Sequence, residues 1–233
     1  MGMTEKLFWT DSYLKEFDAK VLAIDGPNVI LDRTAFNPQG GGLVSDTGAI
    51  SRSRVDQVTK NGDEIIHRLG NAPAFPPGSV VHGSLDWERR HRIMRMHTTA
   101  HLLSSIVNRE TGALITGNQI NPDESRVDFS LEQFDRDKIG YYVDQVNQVV
   151  ARGLEVTAVF MKKEEAMKIP GMVKLANAAP PSVDVLRIVR IGDVDTQADG
   201  GVHVRNTSEI GKVVVLRAEN KGKANRRLYF TVQ

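Results

Sequence analysis

Two histidines four residues apart, His97 and His101 in Met96-His-Thr-Thr-Ala-His101, carry the strongest chemical signal in the chain. On a helix, side chains at i and i+4 share one face about a turn apart, and that spacing lets two imidazoles reach one zinc ion. No glutamate lies between them, which excludes the His-Glu-x-x-His pattern of a zinc protease. Far downstream, Asp199-Gly-Gly-Val-His203 offers a carboxylate and a third imidazole around a glycine pair. The glycines suggest a tight loop, which can aim both side chains at the same metal. Each pattern alone is ordinary, one a polar helix edge and the other an Asp-Gly-Gly turn. The chain has no cysteine. Disulfides, thiol nucleophiles and thiolate ligands are therefore excluded, and a bound metal is left with His, Asp, Glu or water.

A third pattern is Phe36-Asn-Pro-Gln-Gly40-Gly41-Gly42, followed by Ser45-Asp-Thr-Gly48. Consecutive glycines let backbone approach a bound group and leave amides for an anion or an ester. Their spacing fits neither a P-loop nor a dinucleotide fingerprint, and a flexible surface loop has the same composition. The formal charge of +1 does not advertise a nucleic-acid binder, but local clustering says more than the sum. Arg89, Arg90, Arg92 and Arg95 gather with His91 ahead of the histidine pair, and Lys221, Lys223, Arg226 and Arg227 gather near the C-terminus. Such clusters are either solvated surface or phosphate-facing.

The elements that must position these residues fall into two regimes. Ala19–Ile24, Asn28–Leu31, Gly48–Ile50, Arg54–Val58, Asp63–His67 and Ser79–Leu85 read as short strands separated by turn signals, with Asn61-Gly62 as a hairpin turn. Strands at this spacing suggest a small β-barrel. From Asp86 the apolar residues recur at helical spacing through Ile93, Met94, Met96, Ala100, Leu103, Ile106 and Val107, up to a Gly112 stop. A strand pair at Leu114–Ile120 and Arg126–Leu131 is expected next, then a helix over Asp135–Arg152. Strands at Val156–Met161, Val185–Ile191, Val213–Ala218 and Arg227–Val232 follow, with a short helix at Lys162–Lys168. The expected class is α+β, a small N-terminal β-barrel over residues 1–88 followed by an α+β domain over residues 89–233 with the metal site. At 233 residues, 40% hydrophobic and 25% charged, the chain is that of a folded protein. No stretch approaches the roughly 18–20 apolar residues of a membrane span, and the N-terminus lacks the order of a signal peptide. A cytoplasmic protein is expected.

Taken in this order, the three motifs resemble the editing domain of alanyl-tRNA synthetase, and more closely its free-standing relatives, the AlaX-type trans-editing proteins. The resemblance rests on Arg33–Gly42 with Asp46-Thr-Gly48, on Arg95-Met-His-Thr-Thr-Ala-His-Leu-Leu103, and on Asp199–Val204 with Asn206–Gly211. The editing domain of threonyl-tRNA synthetase shares the zinc motifs but not the glycine-rich part. The resemblance implies one zinc ion per chain, held by His97, His101 and His203 with Asp199 as fourth ligand or as a residue orienting a bound group. It implies hydrolysis of serine, and possible hydrolysis of glycine, from wrongly charged alanine tRNA. Thr116 is then the partner for the serine hydroxyl, with Asn118 and Gln119 as further candidates, and the amides of Gly40, Gly41 and Gly42 approach the ester or the terminal adenosine. Arg92, Arg95, Lys221, Lys223, Arg226 and Arg227 would face tRNA phosphates, while Arg89 and Arg90 pair with Asp86 and Glu88 on their own helix. Two departures stand out. The family usually has Cys where Asp199 stands, and Gln-Pro where Leu43-Val44 follow the glycines. The competing readings are a zinc hydrolase of another ester or amide, and a module that binds aminoacyl-tRNA without cleaving it.

Overall fold

The computed structural model describes residues 3–132, 136–169, 172, 176 and 183–233. It is a mixed α+β chain in two units, Met1–Ile93 and Met94–Gln233, with the division falling inside one long helix.

Alternation governs the first unit. Along Glu16–Asp25 the side chains of Phe17, Ala19 and Val21 point inward while their neighbours face solvent, the two-residue period of a strand with one buried face. Six strands pair antiparallel in the order Glu16–Asp25, Asn28–Leu31, Glu64–Leu69, Ser53–Asn61, Gly48–Ile50 and Val80–Leu85, and the last pairs back to the first. The ring has no free strand edge, and Val29, Leu31, Ile50, Val55, Val58 and Ile65 fill its interior at 0% exposure. Gly62, with φ of 58°, closes the hairpin between Asn61 and Glu64, where a side chain would be strained.

Two buried polar groups are locked into this unit. Arg90 is fully buried and donates through Nε to both oxygens of Asp46, at 2.9 and 3.0 Å, with Nη2 also on that carboxylate. Its remaining donors reach the carbonyls of Ser12 and Ala35, at 2.9 and 2.5 Å. The expected pairing of Arg90 with acids on its own helix is thereby corrected: a buried guanidinium needs a buried anion, and Asp46 of the glycine-rich motif supplies it. Arg89 reaches the Ser45 carbonyl at 3.2 Å, while Asp86 caps the helix by accepting the Arg89 backbone N–H at 3.2 Å. The second locked group is His67, whose Nδ1–H donates to the Val29 carbonyl at 3.1 Å, so its Nε2 accepts from the Thr34 hydroxyl at 2.8 Å.

The long helix runs Trp87–Thr111 and stops where Gly112 turns to φ of 72°. From Ile93 to Val107 every residue but Arg95 is buried, so this is an interior helix and not an amphipathic one. Two of its buried hydroxyls are satisfied locally: Thr98 and Thr99 each donate to the carbonyl four residues back at 2.9 Å. Among the described residues the second unit has two antiparallel sheets. One runs Val213–Asn220, Arg226–Val232, Ser125–Phe129, Ile115–Gln119; the other runs Val156–Lys162, Val185–Ile191, Asp195–Ala198. The helix Arg136–Ala151 buries Ile139, Tyr142, Val146, Val149 and Val150, and its Asn147 satisfies both backbone groups of Val213, at 2.9 and 3.1 Å. The strand Asp195–Ala198 is absent from the sequence expectation, and it leads directly into the Asp199 loop.

Two outcomes follow for the first unit. Removing the Asp46 carboxylate leaves a buried guanidinium unpaired, so Asp46→Ala should cost about 3–5 kcal/mol in urea unfolding. Burial pushes the His67 pKa from 6.5 down to about 4 against the opposing pull of Val29. The unfolded chain therefore takes up a proton before the folded one does. The stability held by neutral His67 is complete above pH 6.5 and should be lost as pH falls towards 4, by about 3 kcal/mol in all. A His67→Gln variant should show a flatter stability-against-pH curve over that window.

Candidate metal centre

One turn of the long helix separates His97 from His101, and their rings meet edge to face with centroids 4.9 Å apart. His203 arrives from the loop after Asp195–Ala198, stacks on His97 at 4.2 Å and meets His101 edge-on at 4.8 Å. Asp199 faces all three. Its Oδ2 lies 3.5 Å from His97 Nε2 and 3.6 Å from His101 Nε2, and its Oδ1 lies 3.3 Å from His203 Nε2. The four ligand atoms all lie within 4.8 Å of one another. For zinc bonds of about 2.1 Å, a tetrahedron has edges of about 3.4 Å. The Asp199-to-histidine distances match that edge, and three imidazoles with one carboxylate form a donor set that suits a divalent transition metal.

The outer nitrogens fix which form each ring takes. His97 Nδ1 faces the Val202 carbonyl at 3.2 Å, which only accepts. His101 Nδ1 faces the Asp195 carboxylate at 2.8 Å. His203 Nδ1 faces the Thr98 hydroxyl at 3.1 Å, whose proton is already given to the Met94 carbonyl. All three Nδ1 atoms therefore carry hydrogen, and all three Nε2 atoms turn towards Asp199, the tautomer a metal needs. The charges are coupled. Burial opposes a charge on His101, but hydrogen bonds to Asp195 and Asp199 raise its pKa to about 9. Burial likewise opposes the Asp199 charge, yet His97 and the hydrogen bonds from the three rings hold its carboxyl well below the usual carboxylate range. His203 is pushed well below the usual imidazole value by burial and then by His97. The ionised Asp199 carboxylate faces all three Nε2 atoms, so a cation at their meeting point is electrostatically favoured.

The Asp199 loop is tied down. The Gly201 N–H donates to Asp199 Oδ1 at 2.6 Å, and the buried Arg187 donates to the carbonyls of Asp199 and Gly201 at 3.0 and 2.9 Å. Residues 186–229, which span Arg187, Asp195, Asp199 and His203, match the family described as the threonyl and alanyl tRNA synthetase second additional domain. Over 237 residues the chain is 42% identical to the alanyl-tRNA editing protein AlaX-M of Saccharolobus solfataricus, covering 99% of this chain and 100% of that one. The chain belongs to the AlaX-M family of alanyl-tRNA editing proteins. A second AlaX-M relative, from Methanosarcina barkeri, is 42% identical over 241 residues, with 99% of each chain covered. The alanine–tRNA ligase of Methanococcus vannielii is 35% identical over 231 residues, which takes in 98% of this chain and 26% of the ligase.

Other expected site residues of this AlaX-M family chain come from other elements of the fold. Thr116 is exposed on the strand Ile115–Gln119 and donates to Asn225 Oδ1 at 2.8 Å. Asn118 and Gln119 share that strand, and Gln119 accepts from Arg126 at 3.4 Å. Gly40, Gly41 and Gly42 are exposed in the first unit, in a tight turn where Gly40 and Leu43 exchange backbone bonds at 3.1 and 2.9 Å. A Cβ on Gly40 or Gly41 would meet nothing within 4 Å. Leu43, where the resemblance implies Gln, is 4% exposed and belongs to the apolar interior.

The basic cluster divides. Arg95 is held by the carbonyls of Ile210, at 2.9 and 2.6 Å, and of Gln233, at 2.8 Å. Arg226 is buried on the carbonyls of Gly222, Asn225 and Glu132, and Arg227 grips Asp128 with two bonds of 2.7 and 2.8 Å. These three guanidiniums are engaged by protein oxygens. Lys221 and Lys223 are exposed, with Lys221 3.2 Å from Glu219, and Arg92 is half-buried. Sequence reasoning missed Asp195, Thr98 and Arg187. Thr98 stands between the two histidines, but nothing in the spacing marks the other two.

Replacing Asp199 by Asn should weaken metal affinity by at least the roughly 10–100-fold that loss of an outer partner costs, read by competition with a chromophoric chelator. Asp199→Cys, which places there the thiolate that the resemblance implies, should bind zinc at least as tightly as the parent.

Proposed function

We propose that the chain hydrolyses, in trans, the ester that joins a wrong amino acid to alanine tRNA. On this reading serine is the main amino acid removed and glycine a second, and the metal is one zinc ion per chain. The observation that carries it is the convergence of His97, His101 and His203 through Nε2 on the Asp199 carboxylate. The family of relatives, named for alanyl-tRNA editing, supplies the substrate class.

His97, His101 and His203 would hold the ion and Asp199 would give it an oxygen donor. A bound zinc would lower the pKa of a coordinated water or polarise the ester carbonyl. An aminoacyl ester is already activated, so modest catalysis suffices. The Thr116 hydroxyl recognises the serine hydroxyl, and Asn225 orients it. A polar group that loses its partner when alanine is offered rejects alanine strongly. Asn118 and Gln119 line the same strand, and the amides around Gly40–Gly42 approach the terminal nucleotide. Arg92, Lys221 and Lys223 face the tRNA phosphates. Among the described residues no helix is long and apolar enough to cross a membrane, and the site of action is the cytoplasm with the tRNA pool.

The test is deacylation of serine-charged alanine tRNA, with alanine-charged tRNA as control, before and after chelation. Loss of serine alone, abolished by chelator and restored by zinc, is the expected result. A folded, metal-loaded protein that binds the tRNA and releases nothing would show a binding module instead. Thr116→Val should slow serine release by about tenfold or more and leave glycine release closer to the parent rate. Lys221→Ala and Lys223→Ala should each lower the slope of log affinity against log salt by about one.

A further inference from the structure

We infer that Asp195 is a positioning residue that sets the metal affinity of the centre by bracketing one ligand, His101, together with Asp199. The inference rests on the metal reading above and goes beyond the four ligands.

The side chain of Asp195 is wholly buried. A buried carboxylate is costly unless it is hydrogen-bonded and charge-compensated. Asp195 accepts from His101 Nδ1 at 2.8 Å and from Gln197 Nε2, which reaches its two oxygens at 3.1 and 3.0 Å. Gln197 is two residues along the same strand, so its side chain leaves on the same face, and it is itself buried. The carboxylate is thus held from one side while it holds His101 on the other.

The three histidines are not supported alike. His97 and His203 lean on neutral acceptors, a carbonyl at 3.2 Å and a hydroxyl at 3.1 Å. His101 alone leans on a carboxylate, and at the shortest of the three distances, 2.8 Å. Hydrogen bonds to an ionised acceptor are shorter and roughly twice as strong as neutral ones. A second stitch stands one turn further along the helix, where Ser105 donates to the Val194 carbonyl at 2.6 Å. His101 and Ser105, four apart on one helix face, are therefore fastened to adjacent residues at the start of the strand Asp195–Ala198. That strand then delivers Asp199, whose Oδ2 stands 3.6 Å from the other nitrogen of the same ring. The four-residue strand works as a spacer between two carboxylates that grip one imidazole from opposite edges. A ring so held donates to a metal in one orientation and with raised basicity.

The test measures zinc affinity by competition with a chromophoric chelator, and the visible absorption of the cobalt(II) form, for the parent, Asp195→Asn and Asp195→Leu. Denaturant unfolding of each shows whether it folds. Asp195→Asn, which keeps shape and one acceptor, should bind zinc about tenfold more weakly. Asp195→Leu should approach a hundredfold loss and change the cobalt spectrum, which a merely structural residue would not do. If Asp195→Leu does not fold, Asp195→Asn decides alone. Folded variants with parental affinity and an unchanged cobalt spectrum would overturn the inference while leaving the centre intact. A parent that binds neither metal would overturn the centre, and the inference with it.

Discussion

A ring that offers one nitrogen to a metal in a buried place must find an acceptor for the other, and the second unit is organised around that requirement. Three histidines need three acceptors: a backbone carbonyl, a hydroxyl and a carboxylate. Each comes from a different piece of chain. The long helix supplies two rings and the hydroxyl, the strand Asp195–Ala198 supplies the carboxylate, and the Asp199 loop supplies the third ring, the carbonyl and the converging acid. The helix is buried almost all round, so the polar groups it carries must find their partners within the protein. Arg187 then spends its guanidinium on two carbonyls of the loop, which fixes where Asp199 stands.

The first unit obeys the same rule with different chemistry. The glycine-rich motif contains Asp46, and Asp46 is the counter-ion of a fully buried Arg90 at the start of the long helix. Part of that motif is thus structural. Its exposed glycines are a separate matter: Gly41 and Gly42 sit at φ of 58° and 90°, so the turn itself calls for glycine whether or not anything binds there.

Much of this was legible in the sequence, and the reason is locality. The strands of the first unit, the long helix and its glycine stop were written in short-range alternation and periodicity. The four clustered residues were legible because histidine is scarce, six in the chain, and because i, i+4 spacing needs no knowledge of the rest. Asp195 was not legible. Its strand is four residues of mixed character, and its importance comes from a ring ninety-four positions away. The setting of the basic residues was hidden for the opposite reason. The charges of Arg95, Arg226 and Arg227 are plain in the sequence, but acceptors such as the carbonyls of Ile210 and Gln233 leave no mark there. Arg90 belongs with them.

The resemblance implies a thiolate where Asp199 stands, and a carboxylate in that place would change the vulnerability of the centre. A thiolate ligand can be oxidised stepwise or drawn into a mixed disulfide, and either event expels the metal. Nitrogen and carboxylate donors undergo neither reaction, and the chain has no sulfhydryl anywhere. The oxidisable neighbours of His97 on the helix, Met94 and Met96, are both at 0% exposure. A metal held by these four residues would lose none of its ligands to thiol oxidation.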